Sequence, residues 1–213
     1  MKTKKLTTLA LLCAISYGVM CLSKMLPPIV LFLQYDPKDV MITLGGFIYG
    51  PASAAIIALV VAFIELITVS DTGLIGFFMN VISSCAFACT ASAIYKYRRT
   101  LGGAVAGLVS GTLFTTVVML LWNYFITPIY MGIPRQAVAA MLLPAFLPFN
   151  LLKGGINASL MLLIYKPVAT ALRRAKLIPL SSAGGEKAKL HKPLAVVAGI
   201  TLLCLIAAVW LLK

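Results

Sequence analysis

The segment TLGGAVAGLVSGTLFTTVVMLLWNYFITPIYMGIP, residues 100–134, carries no charged side chain. A membrane-spanning helix needs roughly 20 predominantly apolar residues to cross a hydrocarbon core of about 30 Å. As one continuous helix this segment would be about 52 Å long, at 1.5 Å per residue. It therefore predicts a membrane span that begins near Gly102 and whose last part leaves the hydrocarbon, and we expect Pro128 to break the helix there.

Further uncharged runs lie on both sides of this segment. They cover residues 6–23, 40–64, 72–95, 136–152 and 193–212. The chain is 62% hydrophobic and 11% charged, with a mean hydropathy of +1.04. Open sheet edges are excluded in lipid because their backbone groups would lack hydrogen-bond partners, and the short alternating pattern of outer-membrane barrels is missing. The sequence therefore predicts an all-α integral membrane protein with about six or seven spans.

The predicted spans follow from these runs and from the Pro and Gly residues between them. They cover about residues 6–25, 39–49, 52–69, 74–95, 102–128 and 149–175. We expect residues 129–147 to form an outer connection with a short helix at 135–142. The apolar stretch 29–37 is too short to cross and is interpreted as an outer loop that dips back toward the membrane.

The basic residues explain the net charge of +13. Most of them lie at span ends that share one side of the membrane if the N-terminus is cytoplasmic, which is the positive-inside pattern. These residues are Lys2, Lys4, Lys5, Lys96, Arg98, Arg99, Lys166, Arg173, Arg174, Lys176, Lys187, Lys189 and Lys192. No nucleic-acid partner is needed to account for them. The chain divides into a membrane domain (1–175), a basic cytoplasmic linker (176–192) and an additional transmembrane helix (193–213).

The sequence carries no pattern typical of catalysis. Its single histidine, His191, lies in the basic linker, and neither clustered metal ligands nor the GxSxG and HExxH motifs occur. The GxxxxGK[ST] motif is also missing, so any ATP hydrolysis must come from a partner. The five cysteines lie in apolar runs and are interpreted as small buried residues. We therefore predict a protein that is not an enzyme and has neither a metal site nor a resident cofactor.

Two amides and one ammonium interrupt the apolar stretch PFNLLKGGINASL, residues 148–160. Asn150, Lys153 and Asn157 are offset by three and seven residues and share one helical face within an arc of about 60°. Burying them unpaired would cost several kcal/mol, so we expect them to face a cavity that suits a planar, hydrogen-bonding organic molecule. A second polar set lies at the end of the fifth span: Asn123, Tyr124, Thr127 and Tyr130. The alternative to a binding site is that both polar sets form hydrogen bonds between helices, worth about 1 kcal/mol per contact.

Three acidic residues each have a structural and a functional interpretation. Asp36 and Asp39 flank Lys38, where they could cap the second span or contact a ligand as part of a lid. Glu65 lies inside an apolar run and is a functional candidate, unless it reaches water near the outer end of the third span.

Small residues form a row on the first span. Ala10, Ala14 and Gly18 recur every four residues, which lets another helix approach closely. The row is either a packing seam within the protein or a docking face for a partner subunit.

Four stretches together resemble the riboflavin-binding S component, the substrate-specificity subunit, of energy-coupling factor (ECF) vitamin transporters. They are YDPKDVMITLGGFIYGP (35–51), DTGLIGFFMNVISS (71–84), NYFITPIYMGIPR (123–135) and LPFNLLKGGINASL (147–160). The resemblance covers about residues 6–175 and implies a six-helix core with its pocket near the outer face. The predicted span at 193–212 would be an extra C-terminal transmembrane helix.

The resemblance also implies a function and its partners. The protein would bind riboflavin with high affinity, with FMN as a further candidate ligand. It would mediate ATP-dependent uptake together with a transmembrane T subunit and two ATP-binding subunits. An S component for another vitamin, such as thiamine or folate, and a stand-alone membrane carrier or channel remain alternatives.

Roles for individual residues follow from the same resemblance. Asn123, Asn150 and Lys153 would hydrogen-bond the polar edge of the isoalloxazine ring. The loop 32–43, with Leu33, Tyr35, Asp36 and Thr43, would line or close the pocket. Ala10 and Ala14 match the AxxxA motif by which S components dock on the T subunit. Tyr130 and Asn157 complete the predicted substrate site, and Gly18 the predicted docking face.

Overall fold

The computed structural model describes residues 2–25 and 34–177. These ranges form helices joined by short connections: α1 (Lys2–Lys24), α2 (Lys38–Tyr49), α3 (Pro51–Thr68), α4 (Gly73–Tyr97), α5 (Leu101–Met131), α6 (Arg135–Met141), a π-helical turn (Leu142–Phe146) and α7 (Leu147–Arg174). The predicted all-α membrane architecture is confirmed. Leu33, the linker 176–192 beyond Leu177 and the predicted seventh span lie outside the described residues.

Within residues 2–25 and 34–177, five helical stretches are long and apolar enough to cross a membrane. They are Thr3–Lys24, Pro51–Thr68, Gly73–Tyr97, Leu101–Met131 and Arg135–Leu172. Helix α2 is the exception, because its 12 residues extend only about 18 Å. It packs against α1, α3, α4 and α7, and most of its side chains are buried. A helix surrounded by other helices does not need the full thickness of the hydrocarbon.

A tight turn at Gly50–Pro51 joins α2 to α3. Gly50 has a φ of +96°, a backbone conformation that residues other than glycine rarely adopt. Pro51 occupies the first turn of α3. The turn returns the chain directly along α2 and brings Glu65, near the end of α3, to the level of Lys38 at the start of α2.

Helices α4 and α5 approach each other at backbone distance. A Cβ atom on Gly107 would lie 2.6 Å from the carbonyl oxygen of Ala91, and one on Gly111 would lie 2.8 Å from that of Phe87. Glycines at such positions allow close packing where lipid supplies little hydrophobic driving force. This contact fixes the position of α5, which carries Asn123.

The prediction that Pro128 breaks the fifth span was wrong. Helix α5 continues through Pro128 to Met131 and ends at Gly132, whose φ of +64° is a left-handed helix end. Pro128 lies in the last turn, where the missing N–H costs a single hydrogen bond to the carbonyl of residue 124. The helix can therefore continue to the glycine.

The connection before the last described helix is more regular than predicted. The expected short helix is present as α6, but the π-helical turn then leads straight into α7, which begins at Leu147 rather than Phe149. The Leu147 N–H donates to the carbonyl of Leu142, five residues back. This wider turn accommodates Pro144, and Pro148 lies in the first turn of α7, where a missing N–H is tolerated.

Candidate substrate cavity

A cavity of about 290 Å³ lies at the end of the bundle where α1, α3 and α5 finish and α4 and α7 begin. Residues 34–36 contribute to its wall. Six of the predicted site residues line it: Tyr35, Asp36, Asn123, Tyr130, Asn150 and Lys153. The side chains that the sequence singled out on three separate segments therefore meet around one space.

Asn123 is the buried polar group that α5 presents to the cavity. Its side chain is 2% exposed, and its Nδ2 atom donates to the Met119 carbonyl at 2.7 Å. Its Oδ1 atom accepts from the Thr127 hydroxyl at 2.8 Å. These contacts use one of the two amide N–H groups, so the other can donate to a ligand. Tyr130 lies further along α5, near its end.

Asn150 and Lys153 are the polar groups that α7 presents. The Asn150 amide donates to the Phe146 carbonyl at 2.8 Å. The Lys153 ammonium lies 3.6 Å from Oδ2 of Asp39, a residue of α2. Their spacing of three residues places them on one face, as the sequence predicted.

Asn157, one turn further along α7, contacts the polypeptide rather than the cavity. Its amide is 1% exposed. Its Oδ1 atom accepts from the Tyr35 hydroxyl at 2.7 Å, and its Nδ2 atom donates to the Asp36 carbonyl at 3.4 Å. Asn157 thus fastens the segment 34–36 over α7.

The two side chains of this segment have perturbed protonation equilibria. Burial raises the pKa of Asp36, but the charges of Lys38 and Lys153 and hydrogen bonds from Lys38 outweigh burial, so the pKa falls below its usual 3.8. Burial, together with the negative charges of Asp39 and Asp36, raises the pKa of the Tyr35 hydroxyl. Asp36 is therefore charged and Tyr35 protonated at neutral pH.

Lys38 lies at the centre of a buried ionic cluster behind the cavity. Its side chain is 2% exposed, and its Nζ atom lies 2.7 Å from both Asp36 Oδ2 and Glu65 Oε2. Glu65 Oε2 also accepts from the Asn80 amide at 3.0 Å, while its Oε1 atom lies 3.5 Å from the ammonium of Lys24. Removing one partner of a buried ion pair costs about 3–5 kcal/mol. The cluster therefore strongly constrains how helices α1 to α4 and the segment 34–36 pack together.

The cluster shows where the three acidic residues Asp36, Asp39 and Glu65 lie and which groups they contact. Glu65 is 6% exposed and paired, and it lies in the cavity wall. Asp36 does act at the start of α2, since its Oδ1 atom accepts the Lys38 backbone N–H at 3.0 Å. Asp39 instead accepts from the Ser84 hydroxyl at 2.5 Å and faces Lys153.

Some residues differ from expectation in position, and others were missed. Thr43 is fully buried inside α2, where its hydroxyl donates to the Asp39 carbonyl at 2.7 Å, so it does not line the cavity. Lys24 and Asn80 line the cavity, although the sequence did not single them out. Asn80 is a lone amide in an apolar run and lacks the neighbouring polar residues that singled out Asn123.

The charges around the cavity nearly cancel. Among the described residues, four carboxylates and three ammoniums line the cavity or pair with its lining: Asp36, Asp39, Glu65, Asp71, Lys24, Lys38 and Lys153. Such a balance suits an uncharged ligand that carries both donors and acceptors. In the part of the chain that the structure describes, no group of three His, Cys, Asp or Glu side chains could bind a metal ion.

The fold and the cavity define a multi-pass membrane protein with a cavity of small-molecule size at one end of a helical bundle. Residues 4–165 match the family model described as ECF transporter, substrate-specific component, and the chain belongs to this family. The resemblance found in the sequence is confirmed at this level. Members of the family are transport components rather than enzymes.

Individual relatives agree with the family assignment. The riboflavin transporter RibU of Staphylococcus aureus (strain TCH60) is 31% identical over 180 residues, which cover 81% of this chain and 94% of the relative. The riboflavin transporter FmnP of Bacillus subtilis (strain 168) is 28% identical over 174 residues, which cover 78% and 92%. A solved structure of the S component of a bacterial ECF transporter superposes with a TM-score of 0.68 at 29% identity, covering 82% of this chain and all of that chain.

Proposed function

We propose that this chain is the riboflavin-binding subunit of an ECF importer and delivers the vitamin into the cell with ATP-hydrolysing partner subunits. The observation that carries the proposal is the convergence of Asn123, Asn150 and Lys153 on one nearly neutral cavity. The likeness to relatives named as riboflavin transporters supports the same ligand.

The chemistry of the site fits the polar edge of an isoalloxazine ring. That edge alternates carbonyl acceptors with an N–H donor. The Asn123 and Asn150 amides supply both kinds of partner, and the Lys153 ammonium supplies donors for a carbonyl. Apolar side chains in the wall, Trp122, Ile126 and Phe149, suit the benzenoid part of the ring.

The charge balance separates riboflavin from FMN and from folate. FMN carries a phosphate, and folate carries two carboxylates, so both would meet a wall in which carboxylates outnumber ammoniums. We therefore expect riboflavin to bind more tightly than FMN. Competition with FMN, thiamine and folate in the same assay tests this order.

We propose that the partner subunits dock on the exposed face of α1. Ala10, Ala14 and Gly18 are exposed and spaced four residues apart, which suits close packing against a helix of a T subunit. Two ATP-binding subunits would complete the importer. The basic residues at the predicted inner ends of the spans support a cytoplasmic N-terminus.

A titration tests the ligand directly. Purified, ligand-free protein should quench flavin fluorescence saturably when riboflavin is added. The Asn150→Ala and Lys153→Met variants should each weaken binding by about 1–3 kcal/mol, because a buried partner is lost. Gln136→Ala is the matched control, since this amide is exposed on α6. Folded wild-type protein that does not bind riboflavin would contradict the proposal.

Proteoliposomes separate an importer subunit from a stand-alone carrier. Vesicles that contain this chain alone should not accumulate riboflavin. Uptake without partner subunits and without ATP would favour the carrier.

A further inference from the structure

Thr127 lies one turn after Asn123 on α5, and the two side chains contact each other beside the cavity. Thr127 is 4% exposed and Asn123 2%, and the Thr127 hydroxyl donates to Oδ1 of Asn123 at 2.8 Å. We propose that Thr127 is a positioning residue, whose hydroxyl holds the Asn123 amide so that an N–H group, rather than the carbonyl oxygen, is presented to the ligand. This assignment rests on the proposed function and adds a residue that acts through Asn123.

The hydrogen bond of Thr127 differs from those of two other threonines on the same helix. Thr112 donates to the Leu108 carbonyl at 2.9 Å, and Thr116 donates to the Thr112 carbonyl at 2.8 Å. A bond to the backbone four residues earlier is common for a threonine hydroxyl in a helix. Thr127 donates to the side chain four residues earlier. Its hydroxyl therefore orients Asn123 instead of bonding the helix backbone.

Two hydrogen bonds together determine how the Asn123 amide is oriented. Its Nδ2 atom donates to the Met119 carbonyl at 2.7 Å, and its Oδ1 atom accepts from Thr127. An asparagine side chain has two N–H donors and one carbonyl oxygen, and a backbone carbonyl such as that of Met119 can only accept. The second N–H is therefore the donor that remains for a ligand. Without the Thr127 hydroxyl, the buried oxygen would lack this donor, and the amide would be free to turn toward another one.

A fixed N–H donor on α5 selects the group that a ligand presents there. The edge of an isoalloxazine ring carries carbonyl oxygens, and one of them can accept this N–H. A ligand that placed an N–H at the same position would bring two donors together and leave both unsatisfied. Thr127 thus contributes to selectivity as well as affinity, and it does so through Asn123.

A replacement of similar shape tests the role of the hydroxyl. Thr127→Val exchanges the hydroxyl for a methyl group, and we expect riboflavin to bind about fivefold more weakly in the fluorescence titration. Thr127→Ser keeps the hydroxyl and should restore the affinity to within about twofold of the wild type. In an Asn123→Ala background, Thr127→Val should cause no further loss. Thr116→Val is the matched control, since Thr116 is equally buried on the same helix, bonds a backbone carbonyl and does not line the cavity.

Infrared spectra of bound riboflavin report the hydrogen bond directly. A carbonyl stretching band lies at lower frequency when the oxygen accepts a hydrogen bond. At saturating riboflavin, one carbonyl band should therefore move to higher frequency in the Thr127→Val complex and return in the Thr127→Ser complex. A role of Thr127 in packing alone would leave this band in place.

Several outcomes would overturn the positioning role. They are wild-type affinity or unchanged carbonyl bands in Thr127→Val, no restoration in Thr127→Ser, and an equal loss when Thr127→Val is added to Asn123→Ala. Complete loss of binding by Thr127→Val would also overturn it, because one hydrogen bond does not account for such a loss. Wild-type protein that does not bind riboflavin would instead overturn the proposed function itself.

Discussion

The carboxylate of Asp39 lies 3.6 Å from the ammonium of Lys153 and joins α2 to α7 beside the cavity. The second oxygen of Asp39 accepts from the Ser84 hydroxyl, so its orientation is fixed from α4. Lys153 lines the cavity, whereas Asp39 lies behind it and is almost fully buried. For the proposed riboflavin site, we therefore infer that Asp39 is a positioning residue, which acts on the ligand through Lys153.

Replacing Asp39 should disturb binding only while Lys153 is present. We expect Asp39→Asn to weaken riboflavin binding about tenfold, because the Lys153 ammonium loses the carboxylate that orients it. The double variant Asp39→Asn with Lys153→Met should bind no more weakly than Lys153→Met alone. Fluorescence titration of the four proteins gives the coupling, and Gln136→Ala, at an exposed amide on α6 that does not line the cavity, is the control. Losses that simply add would show that Asp39 acts independently.

The hydroxyl of Tyr35 should control how long the ligand stays bound. Tyr35→Phe removes only the 2.7 Å hydrogen bond to Asn157, so the segment 34–36 should open more often. We expect riboflavin to dissociate about fivefold faster, with a smaller change in the association rate, as measured by stopped-flow fluorescence.

Tyr17→Phe is the control for this experiment, because its hydroxyl donates to Thr68 at 2.9 Å and does not line the cavity. Equal dissociation rates in the Tyr35→Phe variant and the wild type would contradict the role given to this bond.

The contact between α4 and α5 should not tolerate a methyl group. Gly107→Ala would place a Cβ atom 2.6 Å from the Ala91 carbonyl, so the helices must separate. We expect a loss of about 1–3 kcal/mol in stability, seen as a lower midpoint of thermal unfolding in detergent. Gly102→Ala, where a Cβ would meet only Thr100 Oγ1 at 4.0 Å, should have little effect. Equal midpoints for the two variants would contradict the packing argument.

The row of small residues on α1 should matter for assembly and not for ligand binding. Ala14→Trp should leave riboflavin affinity unchanged, because Ala14 is exposed and does not line the cavity. It should abolish co-purification with a T subunit, because a bulky side chain prevents close helix approach. Val117→Trp, at an exposed position on α5, is the control. Normal co-purification of the Ala14→Trp protein would exclude this face.

The uncharged runs, and the Pro and Gly residues between them, predicted the helices well. The reason is that the bilayer directly limits the length and the charge of a membrane-spanning helix. The positions of α1 to α4 follow from the uncharged runs to within a few residues. Hydropathy could not show that α5 continues past Pro128. The proline is tolerated because it lies in the last turn of the helix, and hydropathy does not report where that turn ends. The π-helical turn before α7 likewise depends on the local hydrogen-bond register, which hydropathy does not report.

The cavity was predictable in part. The spacing of Asn150 and Lys153 identified a common face, and both residues line the cavity. Asn157 shares that face but lies one turn deeper and contacts Tyr35, because periodicity defines direction and not depth. Lys24 was missed, since a single basic residue at the end of an apolar run is also typical of an anchor at the membrane surface. Asn80 was missed, since a lone amide in an apolar run is also explained by interhelical hydrogen bonding.

The bond between Tyr35 and Asn157 joins residues 122 positions apart in the chain. At about 5–20 residues per second, the ribosome needs roughly 6–24 s to make the second residue after the first. During that interval the segment 34–36 has no partner on α7, and Asn150 and Lys153 have not been made. A ligand held by Asn150 and Lys153 therefore cannot assist the early insertion steps. It can stabilise only a chain whose α7 is already in the bilayer, so any effect of riboflavin supply on the yield of folded protein would be exerted after synthesis of α7.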